Sequence, residues 1–156
     1  MRDTCDYKLY FITNNVHKVE EVKLVAREYS ICIEQAAAPK IEIQSNDLEP
    51  IAINAAVKAY SSLRKPVLVE DAGLFIESLN GFPGPYSSYV FKTIGIKGVI
   101  KLLNGIQDRR AYFKSVVVII APPAFIIEEG IVYGVIASQP RGNKGFGFDP
   151  IFIPEG

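Results

Sequence analysis

Apolar residues recur along this chain at two spacings. Val19, Val22, Val25, Ala26 and Tyr29 fall three and four apart, with Lys18, Glu20, Glu21, Lys23 and Arg27 between them, which is the stripe of a surface helix. The spacing returns in Leu48, Ile51, Ala52, Ala55, Ala59 and Leu63. Ser45, Asn46 and Asp47 offer this second helix an N-cap, and Pro50 falls in its first turn, where a missing N–H is harmless. Elsewhere the apolar residues run together: Leu9 to Ile12, about Ser30 to Gln35, Val67 to Val69, Ala111 to Ala121, Phe125 to Glu128 and Ile131 to Ala137 read as strands, and Lys40 to Gln44 as an extended piece. Asn80 to Tyr86, NGFPGPY, is dense in turn formers, and a glycine-punctuated helical region follows to about Leu103. The predicted order is β-α-β-α-β-α-β-β-β. It implies one α/β domain across residues 1–156, a mixed sheet flanked by helices with a cleft, without internal repeats or a linker.

Composition supports this and removes several functions. The 20 Ile and 14 Val outnumber the nine Leu, and β-branched side chains suit a pleated surface. Seventeen basic and 17 acidic residues cancel, so a nucleic-acid coat, which needs a large positive field, is disfavoured. Any polyanion must be small and locally held. The longest apolar stretch, Val116 to Ile127, contains Pro122 and Pro123 and falls short of the roughly 20 residues of a membrane span. The start, MRDTCDYK, places two acids before any apolar run, wrong for a secretory signal, so the expected compartment is the cytosol. Cys5, Cys32 and the lone His17 cannot form a Cys/His zinc site, and a disulfide scaffold would use more cysteines, so both thiols read as packing residues. His17 has no partner motif that would make it part of a nucleophile system.

Four segments carry candidate chemistry. Thr13 to Lys18, TNNVHK, links a strand to a helix whose first turn holds a lysine, a device that suits an anion because free N–H groups and the helix dipole point at it. The alternative is an Asn N-cap with a solvated lysine, and the glycine spacing of a P-loop is absent. Glu70 to Gly73, EDAG, sets adjacent acids at the end of an apolar strand, where open α/β sheets place ligands. Paired carboxylates suit Mg²⁺, a hard ion, and Glu42, between Ile41 and Ile43, offers a further oxygen or is simply the outer face of a strand. Lys58 lies in the helical segment Asn54 to Lys58. Arg141 to Pro150, RGNKGFGFDP, spaces its glycines so that backbone can approach a flat ligand, with Phe146 and Phe148 either stacking on it or buried as a pair.

Taken together, FITNNVHKVEEV, KIEIQSNDLEPI, NAAVKA, VEDAGL, NGFPGPYS and GFGFDPIF resemble, in order and across nearly the whole chain, the motifs of the inosine triphosphate pyrophosphatase (Ham1-like) family. The resemblance implies a mixed α/β fold of two lobes with a nucleotide cleft between them, a homodimer, and Mg²⁺-dependent hydrolysis of ITP, dITP and XTP to the monophosphate and pyrophosphate. The purine nucleoside triphosphate would be the partner, with neither nucleic acid nor membrane involved. The resemblance assigns Thr13, Asn15 and Lys18 to the triphosphate loop, Lys58 to a second phosphate contact, and Glu42, Glu70 and Asp71 to the metal. Asp71 also serves the attacking water, while Phe146, Phe148 and Asp149 face the base. Asn14 replaces the family's usual Gly, a change Asn tolerates through its ease of positive φ. The chain stops at Gly156, whereas the family continues into a helix and a Ser-His-Arg segment that helps read the base, so a truncated protein with weakened base selection is expected. A non-catalytic nucleotide-binding or sensing module is the alternative, although three carboxylates beside a polyanion favour catalysis. Single-strand nucleic-acid binding through Phe146 and Phe148 conflicts with the zero net charge.

Overall fold

The computed structural model describes residues 5–39, 42–142 and 144–156. Its elements are β1 (Tyr7–Ile12), α1 (Val16–Arg27), β2 (Ile31–Ala36), α2 (Leu48–Leu63), β3 (Val67–Ile76), β4 (Pro83–Gly84), α3 (Ser87–Thr93), α4 (Gly95–Leu102), β5 (Arg110–Ala121), β6 (Ala124–Ile136) and β7 (Phe152–Pro154), with 3-10 turns at Glu77–Leu79 and Asp149–Ile151. The strands form one mixed sheet in the order β2-β1-β3-β5-β6-β7, and β4 pairs with β3 off this path. β1 runs parallel to β2 and β3, whereas β4 is antiparallel to β3 and β7 to β6. The expected mixed α/β sheet flanked by helices is present.

Several boundaries differ from expectation for local reasons. β3 does not stop near Val69 but runs on through Glu70 and Asp71 to Ile76, because Leu74 and Phe75 pair with Gly84 and Pro83 after the NGFPGPY turn folds back. Gly73 serves that pairing, since a Cβ there would collide with the Gly84 carbonyl. The helical region breaks into α3 and α4 at Gly95, whose φ of +63° favours a residue without Cβ. The two strands expected around Gly130 are one, β6, because a glycine weakens a strand without ending it. β7 is too short to leave an apolar signal. The extended piece from Lys40 begins outside the described residues, and residues 42–44 adopt no regular structure.

The thiols are also corrected. Cys5 and Cys32 are joined as a disulfide with their Cα atoms 5.5 Å apart. The parallel register, which sets Tyr7 opposite Ile31 and Lys8 opposite Cys32, carries Cys5 to the start of β2. Among the described residues no helix is long and apolar enough to cross a membrane.

The chain divides into two compact units, and β3, β5 and β6 supply residues to both. In the first (residues 1–44, 49–71 and 116–128), Leu9, Phe11 and Leu68 pack with Val19 of α1. Of the predicted α1 stripe, Val19 and Ala26 are buried, whereas Val25 and Tyr29 are exposed. In the second unit (residues 45–48, 72–115 and 129–156), Leu74, Ile76, Val90, Val99, Leu103, Ile136 and Phe148 form the core. Arg109 braces it with three bonds to backbone: Nε donates to the Ile136 carbonyl at 2.6 Å, Nη2 to Ala137 at 2.8 Å and Nη1 to Leu103 at 3.2 Å.

Candidate active site

In the first unit, β1 leads through α1 to β2 on one side, and α2 brings the chain back to β3 on the other, so the strand order β2-β1-β3 reverses direction between β1 and β3. Ligands of open α/β sheets bind at such a point, outside the carboxyl ends of the strands. Thr13, Asn15 and Lys18 follow β1 there. The Thr13 hydroxyl accepts from the Asn15 N–H at 3.1 Å, and Asn15 Oδ1 accepts from the N–H groups of His17 (3.0 Å) and Lys18 (3.4 Å), the N-cap that its sequence position suggested. Gln35 of β2 donates its Nε2 to the Thr13 carbonyl at 2.8 Å, tying the loop to the neighbouring strand. The sequence reading missed Gln35, and nothing local in its strand marks it.

From the other side come the acids. The last β1–β3 register pair is Phe11 with Leu68, so Glu70 lies just past the end of the paired segment. Lys18 Nζ sits 2.5 Å from Glu70 Oε2, with the two side chains only 21% and 12% exposed. Leu68 packs with Val19, so Glu70, two residues on, shares the face of α1. Asp71, the next residue of β3, is half-buried. Among the described residues no three His, Cys, Asp or Glu side chains form a ready-made metal-holding group, and Glu42 is exposed. The donor chemistry still fits Mg²⁺. Carboxylates are hard oxygen donors, and this ion uses one or two of them and takes the rest of its shell from water and phosphate.

Lys58 is half-buried on α2. One turn before it, Asn54 holds a buried Oδ1 without a hydrogen-bond partner. This acceptor was not singled out from sequence, although it opens the NAAVK segment. An unmet buried acceptor in a native fold calls for an explanation beyond packing.

The glycine-rich loop belongs to the second unit, and its Asn143 lies outside the described residues. The predicted base-facing trio divides. Phe148 is 4% exposed and meets Phe91 edge-on at 5.4 Å, so it is a core residue and not a stacking platform. Asp149 Oδ2 accepts from the Phe146 N–H at 2.8 Å and so caps its own loop. Gly145 is required there: its φ is +82°, and a Cβ would strike the Asp149 carboxylate. Phe146 alone of the three presents a half-exposed ring. Elsewhere in this unit a hollow of about 700 Å³, lined by Phe75, Tyr112 and residues of the NGFPGPY turn among others, contains none of the candidate catalytic, substrate-binding or metal residues.

Residues 9–156 match the model of the Ham1 family. The chain belongs to the Ham1 family. Two relatives named dITP/XTP pyrophosphatase belong beside it: that of Hyperthermus butylicus is 57% identical over 144 residues, 92% of this chain and 76% of the relative, and that of Saccharolobus solfataricus is 49% identical over 149 residues, 96% and 78%. A HAM1 protein from Coxiella burnetii has a similar structure, with a TM-score of 0.82 at 31% identity over 94% of this chain and 81% of that one. The motifs that carried the resemblance thus reach, in this Ham1 chain, both the switch-point loop and the glycine-rich loop.

Proposed function

We propose that this protein is a nucleoside triphosphate pyrophosphatase that hydrolyses dITP, ITP and XTP to the monophosphate and pyrophosphate. The observation that carries the reading is the capped N-terminus of α1 with Lys18 at the β1/β3 switch point, facing Glu70. The helix dipole and an ammonium group both favour one small anion there. The names of the relatives supply the substrate class.

In this reading Thr13, Asn15 and Lys18 bind the triphosphate, and Lys58 neutralises further charge. Asp71 takes a proton from the attacking water as the new O–P bond forms at the α-phosphorus and the bond to the bridging oxygen breaks, releasing pyrophosphate. Glu42, Glu70 and Asp71 would hold Mg²⁺, which when bound neutralises phosphate oxygens and polarises the phosphorus. Phe146 is assigned to the base, while Phe148 and Asp149 support that loop from within. A homodimer in the cytosol completes the reading, and light scattering on the purified protein checks the dimer.

The test is pyrophosphate release from dITP, ITP, XTP, ATP and GTP with Mg²⁺ and with EDTA. The expected result is release from the first three with Mg²⁺ only. Tight binding without release would return the protein to the class of nucleotide-binding modules, and full activity in EDTA would remove the carboxylates from the metal site.

A further inference from the structure

We infer that Glu70 is a positioning residue for Lys18: its carboxylate holds the ammonium group at the end of the β1/β3 pair until a bound triphosphate takes Lys18 over and Glu70 lets go. The inference rests on the reading of Thr13 to Lys18 as the triphosphate loop. Lys18 lies in the first turn of α1, which contains no acidic residue, and a cation at a helix N-terminus is disfavoured by the dipole. α1 therefore gives Lys18 no reason to point where it does. Glu70 gives that reason from another element, at 2.5 Å. The oxygen it uses, Oε2, is shut off from solvent, so the departure of the lysine leaves a buried negative charge without its ammonium partner.

The exchange has a consequence for binding. An incoming triphosphate takes over Lys18, but it leaves Glu70 as a second negative charge beside a polyanion. Without a divalent cation, Glu70 competes with the triphosphate for Lys18. With one, the displaced carboxylate gains a new partner. Triphosphate and divalent cation should thus bind with positive coupling carried by this pair.

A double-mutant cycle tests this by calorimetry with inorganic tripolyphosphate in metal-free buffer, on wild type, Glu70→Gln, Lys18→Met and the double variant. Circular dichroism confirms folding, and Lys18→Gln replaces Lys18→Met if the latter does not fold. Glu70→Gln should bind tripolyphosphate about fivefold more tightly than wild type, and in the Lys18→Met background the gain should drop to about twofold, the share due to removing a nearby negative charge. An equal gain with and without Lys18, no gain at all, or no tripolyphosphate binding by any of the four proteins overturns the inference. Hydrolysis of dITP is measured separately on wild type. Turnover without coupling removes only the role of Glu70, whereas coupling without turnover removes only the hydrolase reading.

Discussion

Replacing Arg109 by Met should unfasten the second unit. The guanidinium donates to the carbonyls of Ile136, Ala137 and Leu103, joining the end of β6 to the segment after α4. The Ile136 N–H returns a bond to the Arg109 carbonyl at 2.8 Å, so backbone and side chain clamp the same place. A hydrogen bond to a charged donor contributes about 1.5–3 kcal/mol when well shielded. Partial exposure of Arg109 reduces each of the three, so the loss should total about 3 kcal/mol, with Met retaining the packing of the aliphatic stem. With a urea slope of about 2 kcal/mol/M, the unfolding midpoint should fall by about 1.5 M. Lys should rescue little of this, because a single ammonium cannot reproduce the planar fork that meets three carbonyls. Ala137 leads into the glycine-rich loop, so near the midpoint the variant should also lose activity toward dITP. A midpoint within about 0.3 M of wild type, or full rescue by Lys, would refute the clamp.

Four further outcomes are expected. Asp71→Asn should lower pyrophosphate release from dITP by roughly a hundredfold or more with the circular dichroism spectrum unchanged, and retained turnover would remove Asp71 as the base. The Cys5–Cys32 disulfide closes a separation of 27 residues, so reduction or Cys32→Ser should cost about 3.5 kcal/mol in urea unfolding; two reactive thiols in unreduced protein would contradict it. Asn54→Ala should keep or raise stability, since Oδ1 has no partner to lose; a fall above about 1 kcal/mol in the same assay would mean that the acceptor is satisfied. Asp108 is held by the Arg110 side chain and then its backbone N–H, which lower its carboxyl from the ordinary 3.8 to about 2. Its stabilisation is therefore present above about pH 3.8 and is lost as pH falls through about 2, so the thermal midpoints of wild type and Asp108→Asn should differ at pH 6 and converge near pH 2.

Periodicity revealed the elements better than their ends. The helices with apolar stripes and the strong strands are where the residue pattern put them, because burying one face dictates spacing. Boundaries set by a neighbour were invisible. Nothing within Val67 to Asp71 announces that Pro83 and Gly84 will return to pair with Leu74 and Phe75 and carry β3 past its acids. The pairing of Cys5 with Cys32 depends likewise on the β1–β2 register, which a cysteine count does not contain.

The candidate site divides along the same line. Asn15 was legible because an N-cap is a local device: a short polar side chain, two N–H groups within three residues, and a helix pattern just beyond. Lys18 and Glu70 were each named, but their pairing joins residues 52 positions apart and follows from the order β2-β1-β3 and from Leu68 and Val19 sharing a face. Phe148 shows the opposite failure. Its alternation with Phe146 around Gly147 looked like two rings offered to one ligand, yet two aromatics separated by one residue need not share a side when the glycine between them has a φ of +59°. One ring then serves the core against Phe91 and the other remains half-exposed. In the proposed reading this loop meets the base through Phe146 and backbone groups, and the Asp149 carboxylate, which accepts from the Phe146 N–H through Oδ2, keeps a second acceptor oxygen. Stacking on a single ring favours no purine over another, and so any preference for a 6-keto base must arise from donors that meet the carbonyl oxygen and would be left unpaired against an amino group.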